Sequence, residues 1–363
     1  MPETVTMSLL VSKERKVNKT FLESLIQTPS PSGDEIAIQK LWIEEMKPHA
    51  HVIETDMAGN AIAILNPEAD FKVLLAGHCD EIAFMITHID DKGFISVTKA
   101  GGINPKLALG SRVRILGKEV VKGVVAVNAE HKGGAKGEVN VEDLAIDIGA
   151  DSKEEVEALI SVGDYVIYDM DFEYLMNDRI SARALDNRTG AYVVAEVIKA
   201  LKDEKINVGV YAVSTVNEET NMGGAYFAAA NIEPNMAIAC DVTFATDAPG
   251  SNPKKEGTVK LGGGPVLAKG STVNWKINEL LKAAAGKLEM DLQWEVTPRS
   301  TGTDADKMRV TGKGVPVGLV SLPLRYMHSP SEIVSLKDMD AEVDLLVQMI
   351  KDLSGKENLK PLE

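Results

Sequence analysis

Two glutamates, Glu218 and Glu219, stand side by side in TVNEETNMGG, just after the apolar run VGVYAVS. Adjacent carboxylates at the end of a buried strand repel each other and lose hydration. Either the pair lies in a solvated turn, or a cation takes one carboxylate while the other moves protons. Other apolar runs also lead to polar groups. KVLLAG runs into His78, MAIAC into Asp241 and VGLVSLPLRYM into His328, while Asp186 in ARALDNRTG precedes a helix. In open α/β sheets, ligands gather beyond the carboxyl ends of the strands. Two imidazoles and several carboxylates, with no thiolate required, describe a hard-to-borderline divalent site that zinc, cobalt or manganese would suit. Singly, each residue has a plain alternative: a packed histidine, or an aspartate capping a turn. Five ends supplying chelating groups together favour a common site.

GHCDE adds detail. His78 and Asp80 are two apart, so on an extended chain they face the same way. The Asp80 carboxylate is then placed to accept the second ring N–H of His78, the arrangement that orients metal-bound histidines. Cys79 and Cys240, each beside a proposed ligand, would point the opposite way, into the core.

These groups need a sheet and helices to hold them. ERKVNKTFLESLIQ, beginning at residue 14, spaces Val17, Phe21, Leu22 and Leu25 on one helical face, and TPSPSG ends it. DEIAIQKLWIEEM resumes the period with an acidic first turn. AIAIL and FKVLLAG read as strands, the second apolar on both faces and therefore central. From about 83 to 178 the texture shifts to short β-branched runs such as GFISV, SRVRIL and EVVKGVVAV, broken by Gly-Gly, Asn-Pro and Lys-Gly pairs, which predicts a small β-rich unit. Helix and strand then alternate again. NRTGAYVVAEVIKALKD and STVNWKINELLKAAAGKLEM read as helices; NVGVYAVST, NMAIACD and VPVGLVSLP read as strands. The last helix is expected to start with a capping-box-like pair, Ser335 and Asp338, and to bury Met339, Val343, Leu346, Ile350 and Leu353. SGKENLKPLE is expected to fray. The predicted fold is α/β: a largely parallel mixed sheet flanked by helices, formed by residues 1–82 and 179–363 and interrupted by a β-rich domain at 83–178.

Composition narrows the functions. Over 363 residues, Lys and Arg total 39 against 54 Asp and Glu, a net charge of −15. Such a surface repels nucleic acid and anionic membranes, so neither is an expected partner. No apolar stretch is long enough to span a bilayer. The first residues lack the pattern of a secretory signal, and two cysteines are too few for a disulfide framework. The expected location is the cytoplasm.

GHCDE, ARALDNR, TVNEET, ACDVT, TGTDAD and LPLRYMHSP follow one another in the order and spacing of the M42 family of dinuclear metalloaminopeptidases, which the chain resembles from TPSPSGDE to the final helix. The resemblance implies a zinc-peptidase-like fold and two divalent metal ions per subunit, zinc or cobalt first and manganese as a further option, bridged by Asp186. It implies that His78 and Asp241 complete one ion's ligands and that Glu219 and His328 complete the other's. Glu218 would be the general base toward a water activated by the pair, with Asp80 orienting His78. The reaction implied is removal of N-terminal residues from short peptides. The inserted domain would serve oligomerisation, giving a homo-oligomer; some relatives build hollow dodecamers. The family's segment matching STGTDADKM lies near the substrate, which brings in Thr303 and Asp304. Arg325 joins them as a substrate-side candidate, facing an acidic side chain or a subunit contact. His49, His51, His88 and His131 match no family ligand and are expected on the surface.

The chain departs from the family at two places. Thr220-Asn221-Met222-Gly223-Gly224-Ala225 replaces the Val-Gly-Leu-Arg-Gly-Ala of many relatives, which bears on substrate preference, and Ala83 replaces a common glycine. The alternatives are another amidohydrolase or deacylase of the same superfamily, which would need a cationic clamp for a substrate carboxylate; an endoglucanase, which needs two carboxyls and no metal pair; and a non-catalytic assembly protein.

Overall fold

The computed structural model describes residues 17–134, 137–170 and 172–363 of the chain. Its first helix, Lys19–Gln27, is capped by the Asn18 side chain and buries Phe21, Leu22, Leu25 and Ile26. The predicted start at residues 14–16 lies outside the described residues. The second helix, Ile36–Met46, buries Trp42, whose indole N–H donates to the Ala191 carbonyl at 2.9 Å. A buried aromatic of this kind finds a partner for its N–H and contributes several kcal/mol through its apolar area.

Eight strands form the main sheet, in the order Val52–Thr55, Ala61–Leu65, Gly209–Thr215, Lys72–His78, Met236–Phe244, Val317–Leu324, Val266–Gly270 and Gln293–Thr297. The central four run parallel. Antiparallel pairing joins Ala61–Leu65 to one side of them and Val266–Gly270 to the other. Both halves of the chain contribute strands, as the sequence predicts.

The alternation of side chains divides the core in two. On one face, Leu75, Ile238, Cys240, Val320 and Leu322 pack against the helices Leu185–Leu201, Trp275–Lys287 and Leu336–Asp352. On the other, Leu74, Ala76, Ala237, Ala239, Val317 and Leu319 meet the helices Gly223–Ile232 and Asp304–Met308. Cys79 and Cys240 are free thiols in the first of these cores, as expected from their position beside residues of opposite orientation.

Glycine sets one spacing that matters to the site. A β-carbon on Gly77 would lie 2.3 Å from the Gly190 backbone, and one on Gly190 would lie 2.2 Å from the Cys240 carbonyl oxygen. The helix carrying Asp186 therefore rests directly on the strands carrying His78 and Asp241.

Six short strands between Ala83 and Tyr168 close into a barrel with its own core, including Phe84, Ile86, Val113, Ile115, Ile146 and Val166. A separate three-stranded sheet joins Glu173–Leu175, Arg179–Ala182 and Glu332–Ser335. The β-rich insertion is thus a closed barrel. No helix among the described residues is long and apolar enough to cross a membrane.

Two local expectations are corrected. Ser335 does begin the last helix, and Met339, Val343, Leu346, Ile350 and Leu353 are buried, but no side-chain cap forms. Asp338 instead accepts the backbone N–H groups of Gly262 and Gly264 at 2.7 and 2.9 Å, a tertiary demand that outcompetes the local one. The C-terminal segment does not fray. Leu359 is buried, its carbonyl accepts from Asn274 at 2.8 Å, and Lys276 donates to the carbonyls of Asn358 and Glu363.

Candidate metal centre and cleft

His78 ends its strand on the same face as Leu74 and Ala76, and Asp241 extends the row of Ala237 and Ala239 on its own strand. Asp186 precedes the regular turns of its helix. Its backbone is extended at φ −78° and ψ 108°, which turns its carboxylate toward the strands. Asn187 ties this turn to the neighbouring strand by donating to the Cys240 carbonyl at 2.8 Å. Ala184, Asn217, Tyr326 and His328, all non-glycine residues with positive φ, adjoin or belong to the same region. Strain of this kind collects where the surrounding structure fixes a functional turn.

The five sequence-predicted ligands come together. Asp186 Oδ1 lies 3.3 Å from His78 Nε2, and its Oδ2 lies 3.2 Å from His328 Nε2. Glu219 Oε2 is 3.5 Å from the same His328 nitrogen. Donor atoms of His78, Asp186 and Asp241 all fall within 4.8 Å of one another, as do those of Asp186, Glu219 and His328. Asp186 belongs to both groups.

Glu218 also enters this space, with Oε2 3.7 Å from His78 Nε2. Asp80 lies behind, fully buried. Its Oδ1 is 3.4 Å from His78 Nδ1, while its backbone carbonyl is nearer at 3.2 Å. The Asp80 carboxylate accepts from Ser32 Oγ at 2.5 Å and from the backbone N–H groups of Glu218 and Glu219 at 3.0 and 3.2 Å. Glu35 fixes the preceding turn by accepting from the Asn217 backbone and side chain.

The electrostatics set these acids apart. Burial, followed by the nearby Asp241, Asp304 and Asp186 charges, pushes the Glu218 carboxyl up to about 10 against the pull of His78. Burial also raises Glu219 and Asp241 well above the ordinary carboxylate range. Asp186 moves the other way: burial works against its charge, but hydrogen bonds from His328 and His78 outweigh it. On protein charges alone, the site must keep several carboxyls protonated. Glu218 Oε1 and Glu219 Oε1 are buried with no hydrogen-bond partner in the protein. Nitrogen and oxygen donors, excess negative charge and orphaned carboxylate oxygens together fit divalent cations.

Several supporting residues carry no local sequence signal. The Glu332 carboxylate accepts the backbone N–H of Asp186 at 3.1 Å and of His328 at 2.8 Å, joining the two segments that carry these side chains. Gly102, just beyond a barrel strand, places its carbonyl 2.8 Å from His328 Nδ1. Glu81 lies buried between Arg183 and Arg188 and bonds to both. These partners are remote in sequence, so neither spacing nor periodicity could reveal them.

The centre opens into a cleft of about 1070 Å³ lined by His78, Asp186, Glu218, Glu219, Asp241 and His328 among others. Thr303 forms part of its wall. Asp304 does not line it: the carboxylate is buried behind, accepts from Thr215 Oγ1 at 2.5 Å and is pushed up to about 6 chiefly by burial. Arg325 is also absent from the lining and pairs with Asp247 at 2.8 Å. His49, His51, His88 and His131 fall in neither donor group, and none of the four is buried. The chain turns through Met222 at φ 57° between the helical segments Glu218–Asn221 and Gly223–Ile232, so the departure from the family pattern lies in the cleft wall.

The family profile described as M42 glutamyl aminopeptidase matches residues 59–345. The lysyl aminopeptidase of Pyrococcus furiosus is 33% identical over 344 residues, covering 93% of this chain and 98% of that protein. Among solved structures, a TET aminopeptidase from a marine-sediment Thaumarchaeota archaeon superposes with a TM-score of 0.88 at 30% identity, covering 92% of this chain and 96% of the other. The TET1 peptidase of Pyrococcus horikoshii, described as assembling into a tetrahedron or a large octahedral shell, gives a TM-score of 0.82 at 30% identity, covering 92% and 99%.

Proposed function

The chain belongs to the M42 family of aminopeptidases, and from that membership we propose that it removes N-terminal residues from short peptides with the help of two adjacent divalent metal ions. The observation that carries this reading is the division of Asp186, one oxygen facing His78 and the other His328. His78, Asp186 and Asp241 would hold one ion; Asp186, Glu219 and His328 would hold the second. The donor set suits zinc, cobalt or manganese, and it is the resemblance to the family that puts zinc or cobalt first.

Bound ions would supply Lewis acidity, polarising the scissile carbonyl and lowering the pKa of a water. The proton work belongs to the protein. Glu218 carries an unpartnered oxygen at the cleft, where it takes a proton from the attacking water and delivers it to the departing amine. Asp80 holds the backbone of both glutamates and faces the far side of His78. Thr303 contacts the substrate. Asp304 acts from behind the wall through Thr215, and Arg325 shapes the His328 loop through Asp247 and its backbone pairing with Ile333.

The barrel leaves Val120, Val124 and Leu107 exposed, which supports its use as a contact between copies in a homo-oligomer such as the shells of the TET1 relative. The two free buried thiols suit the cytoplasm.

The test combines metal analysis with a panel of aminoacyl anilides and N-acyl amino acids, before and after chelation and add-back of zinc, cobalt and manganese. Anilide cleavage that disappears on chelation and returns with metal is expected. Preference for N-acyl amino acids, or full activity after complete metal removal, would overturn the reading.

A further inference from the structure

The cleft holds an acid that this chemistry does not use. Glu295, on the edge strand Gln293–Thr297, is a lining residue. Its Oε2 accepts from Thr243 Oγ1 at 2.6 Å and its Oε1 from Ser321 Oγ at 3.0 Å. Each oxygen is oriented by one hydroxyl and keeps capacity for another donor.

Strand register locates that carboxylate relative to the metal ligands. Asp241 and Thr243 are two apart on one strand, so their side chains share a face, with backbones about 6.6 Å apart. Ser321 stands directly across from Asp241 on the adjoining parallel strand. The Glu295 carboxylate, held between Thr243 and Ser321, is therefore about one long side chain away from the donor cluster. Leu319 and Val259 supply apolar lining in the same cleft.

Glu295 forms no ion pair among the described residues. The lysines of the cleft, Lys254, Lys255 and Lys307, are exposed at its rim. Burial lifts the Glu295 carboxyl above its ordinary value, while the two hydroxyl bonds oppose that lift. A half-buried acid held in place by hydroxyls and without a cation of its own is suited to receive one from outside.

We infer that Glu295 is a specificity-determining residue for the side chain of the substrate's N-terminal residue, and that it selects a cationic one, lysine or arginine. The inference rests on the aminopeptidase reading and adds its substrate class. A lysine offers an ammonium on a four-carbon stem. The stem follows the apolar lining and the ammonium meets the free side of the carboxylate. An acidic side chain would instead face like charge.

The alternative role for this acid is capture of the substrate's α-amine. The two roles separate kinetically, because every aminopeptidase substrate has an α-amine and only some have a cationic side chain. Lysyl, arginyl, leucyl and glutamyl anilides should be compared on the metal-loaded wild-type protein and on Glu295→Gln, which preserves shape and can still bond both hydroxyls, accepting from one through its amide oxygen and donating to the other through its amide nitrogen. Wild type should favour lysyl and arginyl over leucyl in kcat/KM. The variant should lose about ten- to hundredfold on the cationic substrates, as expected for a hydrogen bond to a charged group, and little on leucyl. Equal losses on all four, or a wild-type preference for leucyl or glutamyl, would overturn the inference.

Equilibrium binding of lysinamide against leucinamide, measured by calorimetry, gives a readout independent of turnover. Tighter lysinamide binding that vanishes in Glu295→Gln supports the inference even if no anilide is cleaved, and that combination would sink the aminopeptidase reading alone. Equal binding of the two amides by wild type would sink the inference alone. Because the wild-type preference is itself decisive, the test survives failure of the variant to fold.

Discussion

The Gly102 carbonyl oxygen lies 2.8 Å from His328 Nδ1, bringing the barrel insertion into direct contact with a proposed metal ligand. With Nδ1–H donating to that carbonyl, Nε2 remains available on the side of Asp186 and Glu219. A β-carbon added to Gly102 would stand 2.9 Å from the same ring nitrogen. Gly102→Ala should therefore displace the imidazole, weakening one metal equivalent by about 10–100-fold while leaving the second bound. Metal titration followed by calorimetry checks this; two unchanged affinities would refute it.

The adjacent glutamates should separate under substitution. Glu218→Gln is expected to lower kcat by at least about 10²–10⁴-fold while two metals remain bound. Glu219→Gln should weaken a single metal site. Parallel metal analysis and kinetics on the two variants test the division of labour, and loss of metal from Glu218→Gln would move it into the ligand set.

Gly190 governs how closely the Asp186 helix approaches the sheet. Gly190→Ala places a methyl group against the Cys240 carbonyl, 2.2 Å from the ideal β-carbon. Overpacking of this kind costs about 1–3 kcal/mol or more, here with backbone on the opposing side. A clear fall in unfolding free energy with impaired metal uptake is expected in denaturant titrations; wild-type stability and metal affinity would contradict the packing argument.

Glu81 should link stability to pH. Burial opposes its charge, but Arg183 and then Arg188 hold the carboxyl below its ordinary value of 4.5. A folded-state value that is depressed gives stability above the unfolded value and loses it as pH falls through the folded one. Glu81→Gln leaves two buried guanidinium groups short of their anion and should cost about 3–5 kcal/mol near neutral pH. The gap from wild type should narrow below about pH 4.5. Urea unfolding across that range measures it, and a gap that widened on acidification would show the sign to be wrong.

Much of this arrangement was legible in the sequence because the proposed ligands sit where apolar runs stop. His78 and Asp241 continue the alternation of Leu74–Ala76 and Ala237–Ala239, so one periodicity specified both the strand and the direction of its last side chain. The insertion announced itself by its change of texture. Residues that act across the fold gave no such signal. Glu332, Gly102 and Glu295 reach their partners through contacts between separate elements, and nothing within a local window distinguishes them from surface acids or a loop glycine. Asp338 shows the same limit in reverse: its spacing from Ser335 suggests a cap, but two glycine N–H groups of another segment claim it. The polar C-terminal stretch appeared loose because its anchors, Asn274 and Lys276, belong to a helix far upstream.

Asp80 grips the main-chain amides of Glu218 and Glu219 with separate oxygens of one rigid carboxylate. The two neighbours are thereby yoked: a shift that retunes one drags the other along. Adaptation of this enzyme to new substrates has little freedom to reposition its proposed proton carrier, and is channelled instead toward the far walls of the cleft.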